Sequence, residues 1–100
     1  MLKLYEFLIP THFNNGELIS KPHHEEFYDI LLSWSDGLTI SEPINGMWKK
    51  DDKIYKEKVM FIRCTCSDID ANMIAILIKD HYQQISVMYY PISKKVKYYE

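Results

Sequence analysis

Hydrophobic positions along the chain change from a period of two to a period of about 3.6 and back, and each change marks a boundary between predicted elements. Lys3 to Ile9 (KLYEFLI) is short, aromatic and stopped by Pro10, the pattern of a strand. Its alternation puts Tyr5, Phe7 and Ile9 on one face and Leu4, Glu6 and Leu8 on the other. Thr11 to Glu17 contains Asn14, Asn15 and Gly16, residue types that accept or supply positive φ, and reads as a loop. Ser20 and Pro22 signal a helix start, and Glu25 and Glu26 suit its positive end. Phe27, Ile30, Leu31 and Trp34 recur at helical spacing until Asp36-Gly37 ends the run.

Leu38 to Ile44 (LTISEPI) alternates as a strand interrupted at Pro43, which favours an edge or bulged position because proline cannot donate to a ladder. Lys49 to Lys53 (KKDDK) is a polar turn. Ile54 to Cys66 then forms a long run whose strongest part is Val59 to Cys64, so the two strands make a hairpin. Ser67-x-x-Asp70 resembles a capping box. It opens a helix with an expected apolar stripe of Ile69, Met73, Ile76 and Leu77, ending near Gln84. Ile85 to Ile92 is the last strand. Strand, helix, strand, strand, helix, strand is the split βαβ order, which predicts an α+β ferredoxin-like fold: a four-stranded antiparallel sheet with two helices on one face. The first and third strands are then central neighbours, and the other face of the sheet is uncovered.

At 100 residues, with 47% hydrophobic and 14% aromatic side chains, the chain is expected to form one domain over 1–100 and to fold rather than stay disordered. A net charge of −2 supplies no broad basic surface for nucleic acid; Lys94, Lys95 and Lys97 read as a solvated tail. No apolar run approaches the length of about 18 residues needed to span a bilayer, and the N-terminal residues lack a signal-peptide layout. The expectation is a cytoplasmic protein without membrane contact.

Candidate chemistry concentrates on the uncovered face and the first loop. Along the third strand, Tyr55, Glu57, Val59, Phe61 and Arg63 share a face that is apolar yet charged, the kind of surface a partner or ligand covers. Two arrangements are open for Glu6: it pairs with Glu57 as two carboxylates sharing a site, or it pairs with Arg63 and leaves Glu57 at the solvated strand end. Cys64 and Cys66 lie on one strand face and read as buried free thiols, since adjacent same-face positions suit a disulfide poorly. The four histidines show no metal-binding spacing and read as surface residues, so no metal and no cofactor are expected. His12 with Asn14 and Asn15 is set apart, because a polar loop at the end of a central strand often reaches a ligand. Trp48, Tyr55, Tyr82, Tyr89 and Tyr90 supply rings that either stack on a purine or pack between subunits. No hydrolase, kinase or phosphate-loop signature is present.

From Gly46 to Cys64, and on through Tyr89, the sequence resembles the small bacteriophage S-adenosylmethionine lyases, formerly described as hydrolases. The shared features are Gly46 with Trp48 two residues on, a polar hairpin, Glu57-Lys58 leading a strand that ends in Arg63-Cys64, Asn72 early in the following helix, Gln84 at its end, and the strand Val87-Met88-Tyr89. It is also similar to uncharacterised small bacterial ferredoxin-like proteins through Gly37-Leu38-Thr39 and Trp48. The lyase resemblance implies a homotrimer with its ligand at subunit interfaces and an anti-restriction role in a phage. It implies that Glu57 acts as the catalytic residue, holding the methionyl amino group while the substrate's own carboxylate attacks its γ-carbon. The products would be homoserine lactone and methylthioadenosine. Such a reaction needs positioning more than proton transfer. Trp48 stands where the family has a tyrosine, the hairpin is shorter, and Glu6 has no equivalent there, with Tyr55 as a substitute ring.

The sequence therefore supports an adenosyl-type binding protein with Glu57, Trp48, Tyr55, Gln84, Glu6, His12 and Asn14 as its candidate site. Whether it turns its ligand over is open. The alternatives are a non-catalytic nucleotide-binding module, as a sponge or regulator, and a protein-interaction domain that docks a partner on the open sheet.

Overall fold

The computed structural model describes residues 2–99. In chain order the elements are β1 (Lys3–Pro10), α1 (Lys21–Leu32), β2 (Thr39–Ile40), β3 (Ile44–Lys50), β4 (Lys53–Cys66), α2 (Asp68–His81) and β5 (Tyr89–Ser93). The sheet is antiparallel in the order β2-β4-β1-β5, with β3 also paired to β4. β2 and β3 are two pieces of one edge, so the architecture is the α+β ferredoxin-like arrangement that the element order predicts.

Local chemistry explains most boundaries. Ser20 caps α1 by accepting from the His23 N–H, and Ser67 caps α2 by accepting from the Asp70 N–H. Asp68 and Asp70 in the first turn of α2, with Lys79 and His81 in its last, complement the helix dipole. The expected strand over Leu38 to Ile44 breaks before Pro43. There the Ser41 N–H donates to the Phe61 carbonyl, and the Ser41 hydroxyl accepts from the Phe61 N–H. At the hairpin tip Asp51 and Asp52 both take positive φ, 51° and 63°, the pair that a two-residue primed turn requires. The last strand begins later than its sequence pattern suggests, at Tyr89; Ile85 lies outside the ladder and is exposed.

Tyr5, Phe7 and Ile9 of β1 and Ile62, Cys64 and Cys66 of β4 face the helices and are buried, as alternation requires. Both thiols are free, and the hydrogen bond between them together with burial pushes the Cys66 thiol up. From α1 the core takes Phe27 and Leu31; Trp34 falls beyond the helix end and is exposed. The face of α2 differs from the expected one. Ala71, Ile74, Ala75 and Ile78 are buried, whereas Ile69 and Ile76 are 78% and 52% exposed. This helix is apolar on more than one side, so periodicity alone cannot select the inner face; the two alanines let the helix approach the sheet closely.

On the helix-free face Glu6 is only 4% exposed. Its Oε1 accepts from Arg63 Nε at 2.6 Å, and its Oε2 accepts from the Tyr90 hydroxyl. Glu6 faces Arg63 across the ladder while Glu57 faces Gly46, well along β4, so the paired-carboxylate arrangement is not formed and the ion pair is. On the opposite face of β1, the Tyr5 hydroxyl donates to Asp68, which also pairs with Lys3 at 2.9 Å. That hydrogen bond, reinforced by burial, pushes the Tyr5 phenol up to about 12.

Two outcomes follow for stability. Ile78→Ala should cost about 2–5 kcal/mol by urea unfolding, whereas Ile76→Ala should stay within about 0.5 kcal/mol, because only the first opens a cavity in the core. Arg63→Ala, which leaves the buried Glu6 carboxylate with the Tyr90 hydroxyl alone, should cost about 1–3 kcal/mol, and pairing it with Glu6→Gln in a double-mutant cycle should recover part of that loss.

Candidate functional site

β1 ends at Pro10 under the projecting half of the β3–β4 hairpin, and the chain then folds back as the 11–19 loop. The loop is held by reciprocal backbone contacts, Phe13 N–H to Glu17 O and Ile19 N–H to Thr11 O, both at 2.9 Å. Gly16, at φ 90°, supplies the left-handed position that closes it. Between this loop, the hairpin and the segment after α2 lies a cavity of about 810 Å³. Four of the residues singled out in the sequence line it: His12, Asn14, Glu57 and Gln84.

The structure does not bring the other three there. Glu6 is committed to Arg63 and Tyr90 on the helix-free face. Trp48 and Tyr55, directly paired across the hairpin, stack on each other with ring centroids 5.7 Å apart and planes 11° apart. Tyr82 and Tyr89 belong to the core or pack against it.

Strand alternation sorts the hairpin wall. Asn45, Met47, Lys56 and Lys58 share one face, and Gly46, Trp48, Tyr55 and Glu57 share the other. Partial loss of hydration pushes the Glu57 carboxyl above its ordinary value. The sequence reading missed Lys56 and Lys58 as site residues. Their spacing of two on a strand was the available signal, but it could not show that the hairpin carries them past the end of the helical layer and over a loop. Asn45, Met47 and Phe13 complete the lining with an amide, a thioether and a ring.

The polar groups are held in place. The buried Thr11 hydroxyl lies 2.8 Å from His12 Nδ1 and 3.2 Å from the Lys58 carbonyl oxygen, tying the loop to β4. Asn14 Nδ2 donates to the Gln83 carbonyl at 3.1 Å, and Gln83 itself sits at φ 53°. The histidines are not the surface set expected. His23, His24 and His81 are partly buried in one aromatic cluster with Phe13, Phe27 and Tyr82, and only His12 is exposed. Among the described residues no three His, Cys, Asp or Glu side chains come together as a metal site. Among them, too, no helix is long and apolar enough to cross a membrane.

No family model matches the sequence, and no curated protein matches it. Solved structures do match in fold. The divalent cation tolerance protein CutA1 of Thermus thermophilus superposes with a TM-score of 0.67 at 8% identity, covering 96% of this chain and 88% of that one. CutA1 of a psychrotrophic Shewanella bacterium gives 0.72 at 10% identity over 97% and 84%. The periplasmic divalent cation tolerance protein CutA of Archaeoglobus fulgidus gives 0.66 at 15% identity over 97% and 89%. At such identities the likeness is one of fold. It nevertheless corrects the resemblance to the bacteriophage S-adenosylmethionine lyases. The structural neighbours are consistently of another family, so the lyase activity, the phage setting and the anti-restriction role drawn from those sparse matches do not stand.

Proposed function

We propose that the chain is a non-catalytic binding module that holds a small anionic ligand of the nucleotide class in the cavity beside β1. The observation that carries this reading is the pairing of Lys56 and Lys58 on one wall with His12, Asn14, Asn45 and Gln84 around them. Two cations on one face of the hairpin, with neutral amides as further donors and the Glu57 carboxylate on the other face, form a setting for phosphate or carboxylate oxygens. Phe13 and Met47 offer the apolar contact that a base or similar ring takes. The hydroxyl beside His12, that of Thr11, is buried and already engaged, which suits a structural role and not a nucleophile. The donor set does not favour a divalent cation either, since two lysines stand where such a site needs carboxylates or imidazoles.

Self-association is part of the proposal. The hairpin exposes apolar groups on both of its faces, Met47 and Ile54 at 69% and 64% on one and the stacked Trp48 and Tyr55 on the other, more than a lone domain usually offers to water. A closed homo-oligomer would cover it, and a trimer is the first assembly to test. Two free buried thiols fit a reducing compartment such as the cytoplasm.

Thermal unfolding with and without AMP tests the binding site, and AMP is expected to raise the midpoint. In calorimetric titration the Lys56→Ala/Lys58→Ala variant should bind AMP about ten- to a hundredfold more weakly, the range for losing one ionised hydrogen bond of about 1.5–3 kcal/mol. Lys49→Ala, outside the cavity, should bind as the parent does. No midpoint shift at millimolar AMP, or full affinity in the double-lysine variant, would sink the reading. Light scattering after gel filtration checks the assembly: a monomer at micromolar concentration would remove self-association.

A further inference from the structure

The inner wall of the cavity is attached to an unusual contact between the two helices. His23 in the first turn of α1 and His81 at the end of α2 stack with ring centroids 3.9 Å apart and planes 27° apart. Nε2 of each ring lies 2.8 Å from the backbone carbonyl oxygen of the other residue. A carbonyl only accepts, so both Nε2 atoms carry hydrogen, and in the neutral rings both Nδ1 atoms are bare. A first proton on one Nδ1 leaves this reciprocal clasp intact. A second, on the other ring, sets two positive charges face to face.

Among the described residues, none of the charged groups around the clasp is bonded to either ring. From α1 comes His24, whose Nδ1 lies 2.8 Å from the Tyr82 hydroxyl and whose ring stacks on Tyr28; Lys21, Glu25 and Glu26 lie around it on the same helix, all of them exposed. From α2 and its cap come buried Tyr82 and exposed Lys79 and Asp80. The 11–19 loop presents Phe13, edge-on to His23 at 5.3 Å, and His12, which is bonded to Thr11 instead. Among the described residues no carboxylate bonds either ring. Burial, then the neighbouring His23 and His81, hold His24 below the ordinary imidazole value. A depressed histidine such as His24 contributes stability that is full above its unfolded value, about 6.5, and is lost as the pH falls.

Both ends of this contact reach the cavity. Phe13 leads directly to Asn14, Asn14 donates to the Gln83 carbonyl, and the Gln84 N–H donates to the Lys79 carbonyl at 2.9 Å. We infer that the His23–His81 clasp is a proton-operated latch on the cavity wall: at neutral pH it holds the Asn14 and Gln84 sides in place, and in mild acid it releases them and the bound anion. The inference rests on the cavity being an anion site. Its sign is diagnostic, because protonation of His12 in the lining would by itself tighten an anion as the pH falls.

AMP affinity is measured by calorimetry between about pH 8 and pH 5.5, the range in which histidine titrates, for the parent chain and His23→Gln/His81→Gln. Glutamine keeps an amide donor for each carbonyl and takes up no proton. The phosphate of AMP titrates equally in both experiments, so the ratio of affinities isolates the clasp. The parent should lose about tenfold more affinity than the variant, the equivalent of one pK unit. Equal losses would overturn the latch. A ligand-free arm follows the imidazole C–H signals and the Asn14 side-chain amide of the parent by NMR over the same range, and stands even if the variant does not fold. The Asn14 signal should move with protonation of the pair, and a stationary Asn14 signal while both rings gain protons would also overturn the latch. A moving Asn14 signal with no AMP binding at pH 8 would leave the latch standing and remove the anion site.

Discussion

Burial of one face of β1 is the constraint that organises the molecule. Tyr5, Phe7 and Ile9 pack beneath the helices, each apolar side chain contributing about 1.5–3 kcal/mol, and a slip of one residue would exchange them for Leu4, Glu6 and Leu8. Once that face is set, the β1–β4 ladder has one register, with Tyr5 opposite Cys64 and Phe7 opposite Ile62. Every other placement follows from it. Glu6 meets Arg63 and Tyr90 on the far face, and Pro10 ends the strand where the hairpin runs on alone.

The cavity is a product of unequal lengths. β4 continues from Cys66 back to Lys53, well past the end of β1, and its outer half pairs only with β3. The 11–19 loop and the segment after α2 fill part of the space beside that overhang, and the unfilled remainder is the site. This explains why its polar residues come from three separate stretches of chain, and why its anchoring bonds run from loop to strand and loop to helix cap. It also explains the apolar exposure of the hairpin, which lacks a helical layer beneath it.

The residues that carried the lyase resemblance have structural employment here. Gly46 faces Glu57 across the hairpin, Trp48 packs on Tyr55, and Arg63 neutralises Glu6. A short hairpin of this kind calls for such residues whatever the protein does, so a sparse match across it reports architecture before chemistry. The CutA1 structures share the fold at 8–15% identity, which shows how little sequence the arrangement demands.

Element order, the helix starts at Ser20 and Ser67, the polar turn at Asp51-Asp52 and the inner faces of β1 and β4 were legible along the chain, because period-two alternation and side-chain capping are local effects. His12 and Asn14 were legible too, since a polar loop at the end of a central strand is visible without coordinates, whereas Gln84, and Glu57 as a ligand-holding residue, entered through the lyase resemblance and owe their place on the cavity to the fold. Folding alone settled which of the apolar sides of α2 turns inward, which group pairs with Glu6, that Lys56 and Lys58 overhang the loop, and that His23 meets His81. Those are contacts between residues far apart in the chain, and they depend on how closely two surfaces can approach, which no local pattern records.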